Sequence, residues 1–189
     1  MKRVAWTFGI FMALVIVLVV GLRHAPEKGV IVSPFLGKSA PQFTLPLLSD
    51  PAQQLDTAQL KGGWHLVNVW GTWCVECRAE HAQLLAIQRE GRVPIVGINW
   101  RDEDGAALQW LAQLGNPYSI VGADRDGRVA IDWGVYAAPE SFLVSPEGVV
   151  VEKEIGAMTA EDWQSKFLPH LAGGAPAAGT SVSSGVSGS

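Results

Sequence analysis

Cysteine is scarce in this chain. Its 189 residues include two, Cys74 and Cys77, so neither can pair with a third cysteine in a structural cross-link. A disulfide between residues this close in sequence closes almost no loop and adds little stability. A structural zinc site would need two further ligands, and the four histidines are scattered over the chain. The cysteine pair therefore indicates redox chemistry rather than a scaffold or a metal site.

Runs of lysine and arginine are also missing beyond the N-terminus, and the formal net charge is −4. A nucleic-acid partner requires a basic face that neutralises phosphates. The composition therefore argues against nucleic-acid binding, while a hydrophobic content of 48% allows a well-buried core.

A long apolar run covers residues 4–22, and only Thr7 and glycines interrupt it. As a helix rising ~1.5 Å per residue it spans roughly 28 Å, close to the hydrocarbon thickness of a bilayer. Its length and the lack of an A-x-A-like cleavage site favour an uncleaved anchor over a removed signal peptide. Apolarity on every face disfavours a soluble helix. We predict a cytoplasmic tail over residues 1–3, a transmembrane anchor over residues 4–22, and an extracytoplasmic remainder.

Composition divides the remainder into three parts. Residues 23–36 form a mixed linker that contains Pro26 and Pro34. Residues 37–171 carry the patterns of a folded domain. Residues 172–189 are almost all Gly, Ala, Ser, Thr and Pro. This last composition buries too little to offset the entropy of ordering, so we predict a disordered tail.

Strand and helix patterns alternate within the domain. The predicted strands cover residues 65–70, 94–99, 141–144 and 149–152, of which the last two form a hairpin with Pro and Gly in its turn. The predicted helices run from about Val75 to Glu90, from an Asp104 cap to Leu114, and onward from Thr159, which has a capping-box-like spacing to Asp162. This order indicates an α/β fold with a mixed central sheet.

The sequence Trp-Cys-Val-Glu-Cys at residues 73–77 directly follows a buried strand and opens a helix. The unpaired N–H groups of a helix N-terminus stabilise a thiolate, which is the reactive form of cysteine. We therefore predict that Cys74 is the nucleophile. Cys77 lies one turn into the helix, where it can attack a mixed disulfide formed at Cys74.

Three segments resemble the membrane-anchored thioredoxins. They are the Trp-Cys-x-x-Cys motif after a strand, the sequence Val-Tyr-Ala-Ala-Pro-Glu-Ser-Phe-Leu at 135–143, and Gly-Lys-Ser-Ala-Pro-Gln-Phe-Thr-Leu-Pro at 37–46. Shorter matching pieces lie at residues 68–70, 78–81, 97–100 and 114–118. Together they resemble the CcmG/DsbE family of cytochrome c maturation over about residues 37–168 and the anchor.

The resemblance implies a thioredoxin-like fold: a central mixed β-sheet flanked by helices, with an N-terminal extension and a central βα insertion, after one transmembrane helix. It implies a reductase that keeps the cysteines of apocytochrome c, or a partner carrying their mixed disulfide, reduced for haem attachment. The electron donor would be a membrane protein of the DsbD/CcdA type. No cofactor is expected beyond a redox-active Cys74–Cys77 disulfide, and the expected place is the periplasmic face of a bacterial inner membrane.

The resemblance also assigns residues around the cysteine pair. Pro139 occupies the place of the cis proline that faces the cysteines in thioredoxins. The backbone of Ala138 is then open to pair with an extended substrate segment. Trp73 is expected to pack beside Cys74 and shape the docking surface. Glu140, which directly follows Pro139, is expected to be a binding residue.

Asn68 departs from plain thioredoxin, which buries an Asp beneath the cysteines. Asn cannot accept a proton from Cys77, so that role must move, and Glu80 and Glu140 match acidic positions of the family. For each, a solvated surface carboxylate is the alternative. We expect His81 to be a partly exposed helix residue.

Two other functions remain open from the residues alone. The domain could be a general extracytoplasmic thiol reductase for copper-site or other proteins. It could instead be a non-catalytic module that holds an apocytochrome or a copper ion. Replacing Cys77 separates these, because binding survives the change whereas exchange stalls as a trapped mixed disulfide.

Overall fold

The structure is a computed structural model that describes residues 2–23 and 36–172. The chain forms two units, residues 1–32 and residues 33–189. Residues 24–35 of the predicted linker and residues 173–189 of the predicted disordered tail lie outside the described ranges.

Helix α1, Lys2–Arg23, covers the predicted anchor. Over the described ranges, no helix qualifies by length and apolarity as a membrane span. The anchor over residues 4–22 stays a prediction.

The second unit is built on a five-stranded sheet with strand order β5-β4-β3-β6-β7. The three strands on one side of the sheet are parallel to one another, and the last two join antiparallel. The strands are β3 (His65–Trp70), β4 (Ile95–Trp100), β5 (Ile120–Asp124), β6 (Glu140–Val144) and β7 (Val150–Ile155). A β–α–β unit joined to a hairpin and a helix is the thioredoxin-like arrangement that the sequence predicts.

Helical segments and a small hairpin surround this sheet. The hairpin pairs β1 (Thr44–Pro46) with β2 (Gln54–Asp56), and a 3₁₀ turn follows at Thr57–Leu60. The helices are α2 (Val75–Glu90), α3 (Asp104–Leu114), α4 (Arg128–Asp132), α5 (Ala160–Asp162) and α6 (Leu168–Ala172), with a π-helical turn at Trp163–Phe167 joining the last two. Between β4 and β6 the chain forms α3, β5 and α4. The central βα insertion stays a prediction.

The central strand β3 contributes side chains to two cores, because successive side chains point to opposite faces of a sheet. Leu66 and Trp70 enter the core beneath α2 and α3, while Val67 and Val69 enter the core beneath the N-terminal hairpin and α4. All four are fully buried. Burial on both faces explains why β3 is a nearly continuous apolar run.

Local signals predict the elements around the cysteines well. The bounds of β3 and α2 match their predicted ranges, and Thr159 caps α5 through the predicted capping box with Asp162. The prediction that Asp104 caps α3 is wrong, because the N-cap is Glu103 and Asp104 is the first helical residue. The carboxylate of Asp104 forms an ion pair with Arg125 instead.

The β1–β2 hairpin, β5 and α4 lie in segments for which we predict no element.

Gly97 makes room for a tight aromatic contact on β4. It lies opposite Asn68 in the sheet, and a Cβ at this position would lie 2.9 Å from Trp70 Nε1 and 3.1 Å from Tyr118 Cδ1. The absent side chain lets the rings of Trp70 and Tyr118 stack with centroids 5.3 Å apart. Gly97 therefore sets how closely Tyr118 can approach Asn68.

Gly97→Ala tests this contact. We expect it to lower the free energy of unfolding by about 1–3 kcal/mol, the usual cost of overpacking a core. The matched control is Gly105→Ala in α3, where a Cβ meets open space; it should be neutral or stabilise by roughly 0.5 kcal/mol. Urea denaturation measures both variants. Equal unfolding midpoints for the two would show that the aromatic rings shift freely.

Candidate active site

Cys74 stands at the N-terminus of α2. It is the N-cap residue of the helix, with extended backbone angles, and its sulfur accepts a hydrogen bond from the backbone N–H of Cys77 at 3.0 Å. The two cysteines form a disulfide with Cα atoms 5.3 Å apart, and both are largely buried. The N–H that contacts the Cys74 sulfur is one that can stabilise a thiolate once the disulfide is reduced.

A buried polar network lies one helical turn beyond Cys77. Glu80 is 2% exposed, and its Oε1 accepts a hydrogen bond from Asn68 Nδ2 at 2.9 Å. Its Oε2 accepts from the backbone N–H of Met158 at 2.9 Å. Asn68 Nδ2 also donates to Ser141 Oγ at 3.0 Å, and Asn68 Oδ1 accepts from the Tyr118 hydroxyl at 2.8 Å. Every polar atom of the Asn68 side chain is thus engaged, and the amide nitrogen donates to both Glu80 and Ser141.

This environment changes the acidity of the Glu80 carboxyl. Burial raises the pKa of Glu80 to about 7, against the lowering effect of its hydrogen bonds from Met158 and Asn68. Burial, and secondarily the charge on Glu80, raises the pKa of Tyr118 well above its usual value, so its hydroxyl stays a donor. Residues three apart on a helix share a face, so Glu80 lies on the Cys77 side of α2.

Glu140 is fully buried and ion-paired. Lys153 Nζ lies 2.6 Å from Glu140 Oε2, an oxygen that no donor in the described ranges approaches with hydrogen-bond geometry. The backbone N–H of Tyr136 donates to Oε1 at 3.3 Å. The alternative of a solvated surface carboxylate is wrong for both Glu80 and Glu140. The role of Glu140 as a binding residue stays a prediction.

Ala138 and Pro139 lie at the sheet end from which the cysteine loop emerges. Their peptide bond is cis, as predicted, and Glu140 directly after it pairs with Val69 near the end of β3. Ala138 packs against both cores, of which one contains the two cysteines. The topology therefore brings the Ala-Pro segment and the cysteine loop to the same edge.

Trp73 is half exposed next to Cys74. Its indole Nε1 donates to the carbonyl of Trp100 at 3.1 Å, and the two rings meet edge to face at 5.6 Å. Val75 and Tyr136 are also exposed large side chains in the segments that contain Cys74 and Pro139. The cysteine motif and the cis-proline segment therefore offer apolar surface to a partner.

His81 is buried, so the prediction of a partly exposed residue is wrong. It is 5% exposed, its Nε2 lies 3.0 Å from the carbonyl of Gly115, and its ring meets Trp110 edge to face at 4.3 Å. Because a carbonyl only accepts, Nε2 carries the proton. Burial lowers the pKa of His81, which keeps the ring neutral.

Several residues of the site escape sequence reasoning. They are Tyr118 and Ser141 in the network around Asn68, Lys153 beside Glu140, and Asp102, which contacts the cysteine loop. Tyr118 and Ser141 belong to segments that resemble the family, but the pattern does not show which side chains converge. In the described ranges, no three His, Cys, Asp or Glu side chains form a metal-binding group.

Glu80→Gln tests the buried carboxyl through stability. The folded protein keeps a proton on Glu80 up to about pH 7, whereas the unfolded chain loses it near pH 4.3. Between these values the folded state binds more protons, so its stability falls as the pH rises. We expect wild type to lose roughly 2–3 kcal/mol relative to the variant between pH 5 and pH 8.

Urea denaturation of the oxidised proteins measures this difference, because disulfide-bonded cysteines do not titrate. The lowered pKa of His81 acts with the opposite sign but is common to both proteins and cancels. Parallel stability curves for wild type and variant would mean that Glu80 titrates at an ordinary carboxyl pKa.

Comparison with known proteins places this geometry in a family. Residues 35–167 match the Redoxin family. The thiol:disulfide interchange protein DsbE of Allochromatium vinosum is 44% identical over 178 residues, covering 93% of this chain and 97% of that protein. DsbE of Pseudomonas aeruginosa is 42% identical over 161 residues, covering 85% and 88%.

Solved structures agree with these relatives. A structure from Chlorobium tepidum, described as a thiol:disulfide interchange protein DsbE, superimposes with a TM-score of 0.64 at 25% identity, covering 72% of this chain and 97% of that one. A secreted disulfide oxidoreductase of Mycobacterium tuberculosis gives a TM-score of 0.58 at 25% identity, covering 69% and 95%. With its reducible cysteine pair at a helix N-terminus, this chain is a thiol–disulfide oxidoreductase that belongs to the Redoxin family and to the DsbE group of thiol:disulfide interchange proteins.

Proposed function

We propose that this chain reduces protein disulfides outside the cytoplasm, and that its substrate is the cysteine pair of apocytochrome c or a partner that carries its mixed disulfide. The observation that carries the proposal is the Cys74–Cys77 pair at the N-terminus of α2, with the buried Glu80 carboxyl one helical turn further on. The cytochrome substrate rests on the resemblance of residues 135–143 to the cytochrome c maturation thioredoxins. DsbE membership supports it.

The exchange proceeds in two balanced steps. The Cys74 thiolate attacks one sulfur of the substrate disulfide, which forms a mixed disulfide and releases the other sulfur as a thiolate. Cys77 then gives its proton to Glu80 and attacks the Cys74 sulfur. This closes the Cys74–Cys77 disulfide and frees the second substrate thiolate. The substrate gains two electrons and the enzyme pair loses two.

The exposed apolar side chains beside Cys74 suit an extended, unfolded substrate. Trp73 and Val75 flank the nucleophile, and Ala138 leads into the cis proline at the same edge of the sheet. We infer that a substrate segment lies over this surface, with backbone pairing at Ala138. Recharging of the enzyme would fall to a membrane electron donor of the DsbD/CcdA type.

We also propose that residues 4–22 tether the domain to a bacterial inner membrane with the cysteines in the periplasm. The apolar run and the short N-terminal tail support this placement. The anchor would supply location and a high effective concentration near membrane partners, without a catalytic group.

Deleting residues 1–24 should therefore leave the chemistry intact. We expect the truncated protein to be soluble and to reduce a small disulfide at the rate of the full chain, since every residue of the site lies after residue 67. Cell fractionation should find the full chain in the membrane and the truncated form in the soluble fraction. A truncated protein that is inactive would show that residues 1–24 support the fold.

Cys77→Ala tests the substrate. With the second cysteine gone, the reduced variant should accumulate a mixed disulfide between Cys74 and an oxidised Cys-x-x-Cys-His peptide, the haem-attachment pattern of c-type cytochromes. Mass spectrometry of the quenched reaction measures its rate. The matched control is Cys74→Ala, which should form no adduct because Cys77 lies inside α2 and lacks the N-cap position at which a helix N–H stabilises a thiolate.

A second peptide with the histidine replaced by serine separates the alternatives. Trapping at least about tenfold faster with the Cys-x-x-Cys-His peptide supports the cytochrome substrate, a difference of ~1.4 kcal/mol in transition-state binding. Equal rates would indicate a general thiol reductase. Peptide binding that is equal in both cysteine variants, with no adduct, would indicate a non-catalytic binding module.

A further inference from the structure

The turn that follows β4 reaches across to the loop that carries the cysteines. Both oxygens of Asp102 accept hydrogen bonds from Thr72: Oδ2 from the backbone N–H at 2.6 Å, and Oδ1 from the hydroxyl at 2.7 Å. The carbonyl of Trp100 accepts the indole N–H of Trp73 at 3.1 Å. Three hydrogen bonds thus hold the two residues that directly precede Cys74.

The Asp102 carboxylate is committed to this contact rather than to its own helix. Helix α3 begins two residues later, and its N-cap is Glu103, which makes no side-chain capping bond. Besides Thr72, Asp102 accepts from Asn99 Nδ2 at 3.0 Å and from the Glu103 backbone N–H at 2.9 Å. Each carboxylate oxygen therefore has two donors, which fix its orientation before a substrate arrives.

The backbone of the same turn is in an uncommon conformation. Arg101 has φ +49°, and within the described ranges it is the one residue other than glycine with positive φ. Such a residue persists only where surrounding contacts hold it, and an observed outlier of this kind points to a functional constraint. The Arg101 N–H bonds to the Asp124 carbonyl at 2.9 Å. This reversal lets Trp100 and Asp102, on either side of Arg101, both face the cysteine loop.

We propose that Asp102 is a positioning residue for thiol–disulfide exchange, which fixes the Thr72–Trp73 segment and thereby holds Cys74 at the N-cap of α2. The sulfur of Cys74 meets the Cys77 N–H only while Cys74 keeps that place. The inference rests on the exchange activity of the family rather than on the cytochrome substrate, so a small disulfide is the proper probe.

The test compares reduced full-length variants in their reaction with oxidised glutathione. Asp102→Ala should slow the formation of the Cys74–glutathione disulfide by at least about tenfold, because small misplacements of a reacting group are costly. It should also move the midpoint of the rate–pH profile upward, since Cys74 loses the helix N–H. Glu103→Gln, which removes a carboxylate charge one residue away, should leave rate and midpoint unchanged.

A second pair of variants changes Thr72 and leaves Asp102 in place. Thr72→Ala removes the hydroxyl donor and should slow exchange, whereas Thr72→Ser retains it and should restore the wild-type rate. Adding Thr72→Ala to Asp102→Ala should cause little further loss, because both act through one contact. If Asp102→Ala does not fold, the comparison of Thr72→Ala with Thr72→Ser tests the proposal by itself.

Three results would overturn the proposal. A wild-type rate in folded Asp102→Ala, or equal rates for Thr72→Ser and Thr72→Ala, would overturn the proposal. A downward midpoint in Asp102→Ala would also overturn it, because that shift would show that Asp102 acts through its negative charge on Cys74. None of these results depends on whether the physiological substrate is a cytochrome.

Discussion

The burial of the Glu80 carboxyl next to the cysteine pair is the constraint on which the site depends. A carboxyl removed from water resists ionisation unless hydrogen bonds compensate. Here the compensation is partial: Asn68 and the Met158 N–H each donate one bond, and the pKa still rises to about 7. Because these partners come from β3 and from the segment before α5, the packing of the domain sets the acidity of this carboxyl.

Two other buried titratable side chains near this end of the sheet are neutralised separately. Lys153 compensates Glu140 across the β6–β7 hairpin, and His81 is neutral with its Nε2 on the Gly115 carbonyl. A compensated Glu140 repels a Cys74 thiolate less than an isolated carboxylate would. Glu80 differs from both, because burial raises its pKa to about 7.

The sequence predicts the parts of this site that depend on local signals. Strand β3, helix α2 and the cap at Thr159 follow from apolar runs and from residues three or four positions apart. The network does not, because Tyr118 lies 50 residues from Asn68 and Met158 lies 78 residues from Glu80. The three-residue strands β1 and β2 are too short for a periodic signal, and His81 is buried by a ring from α3.

Asn68 orients the Glu80 carboxyl, the group that we propose takes the place of the buried Asp of thioredoxins. Its Nδ2 lies 2.9 Å from Glu80 Oε1. An aspartate at this position would place a second carboxylate within hydrogen-bond reach, and two such groups cannot both ionise at neutral pH. One of the two would keep its proton at neutral pH and could not accept the proton of Cys77. With Asn68 as a fixed donor, held by Tyr118 and Ser141, the network around it contains one carboxyl, that of Glu80. The presence of Asn rather than Asp on β3 and the presence of Glu80 on α2 are therefore physically linked, because the amide of Asn68 donates a hydrogen bond to the buried Glu80 carboxyl.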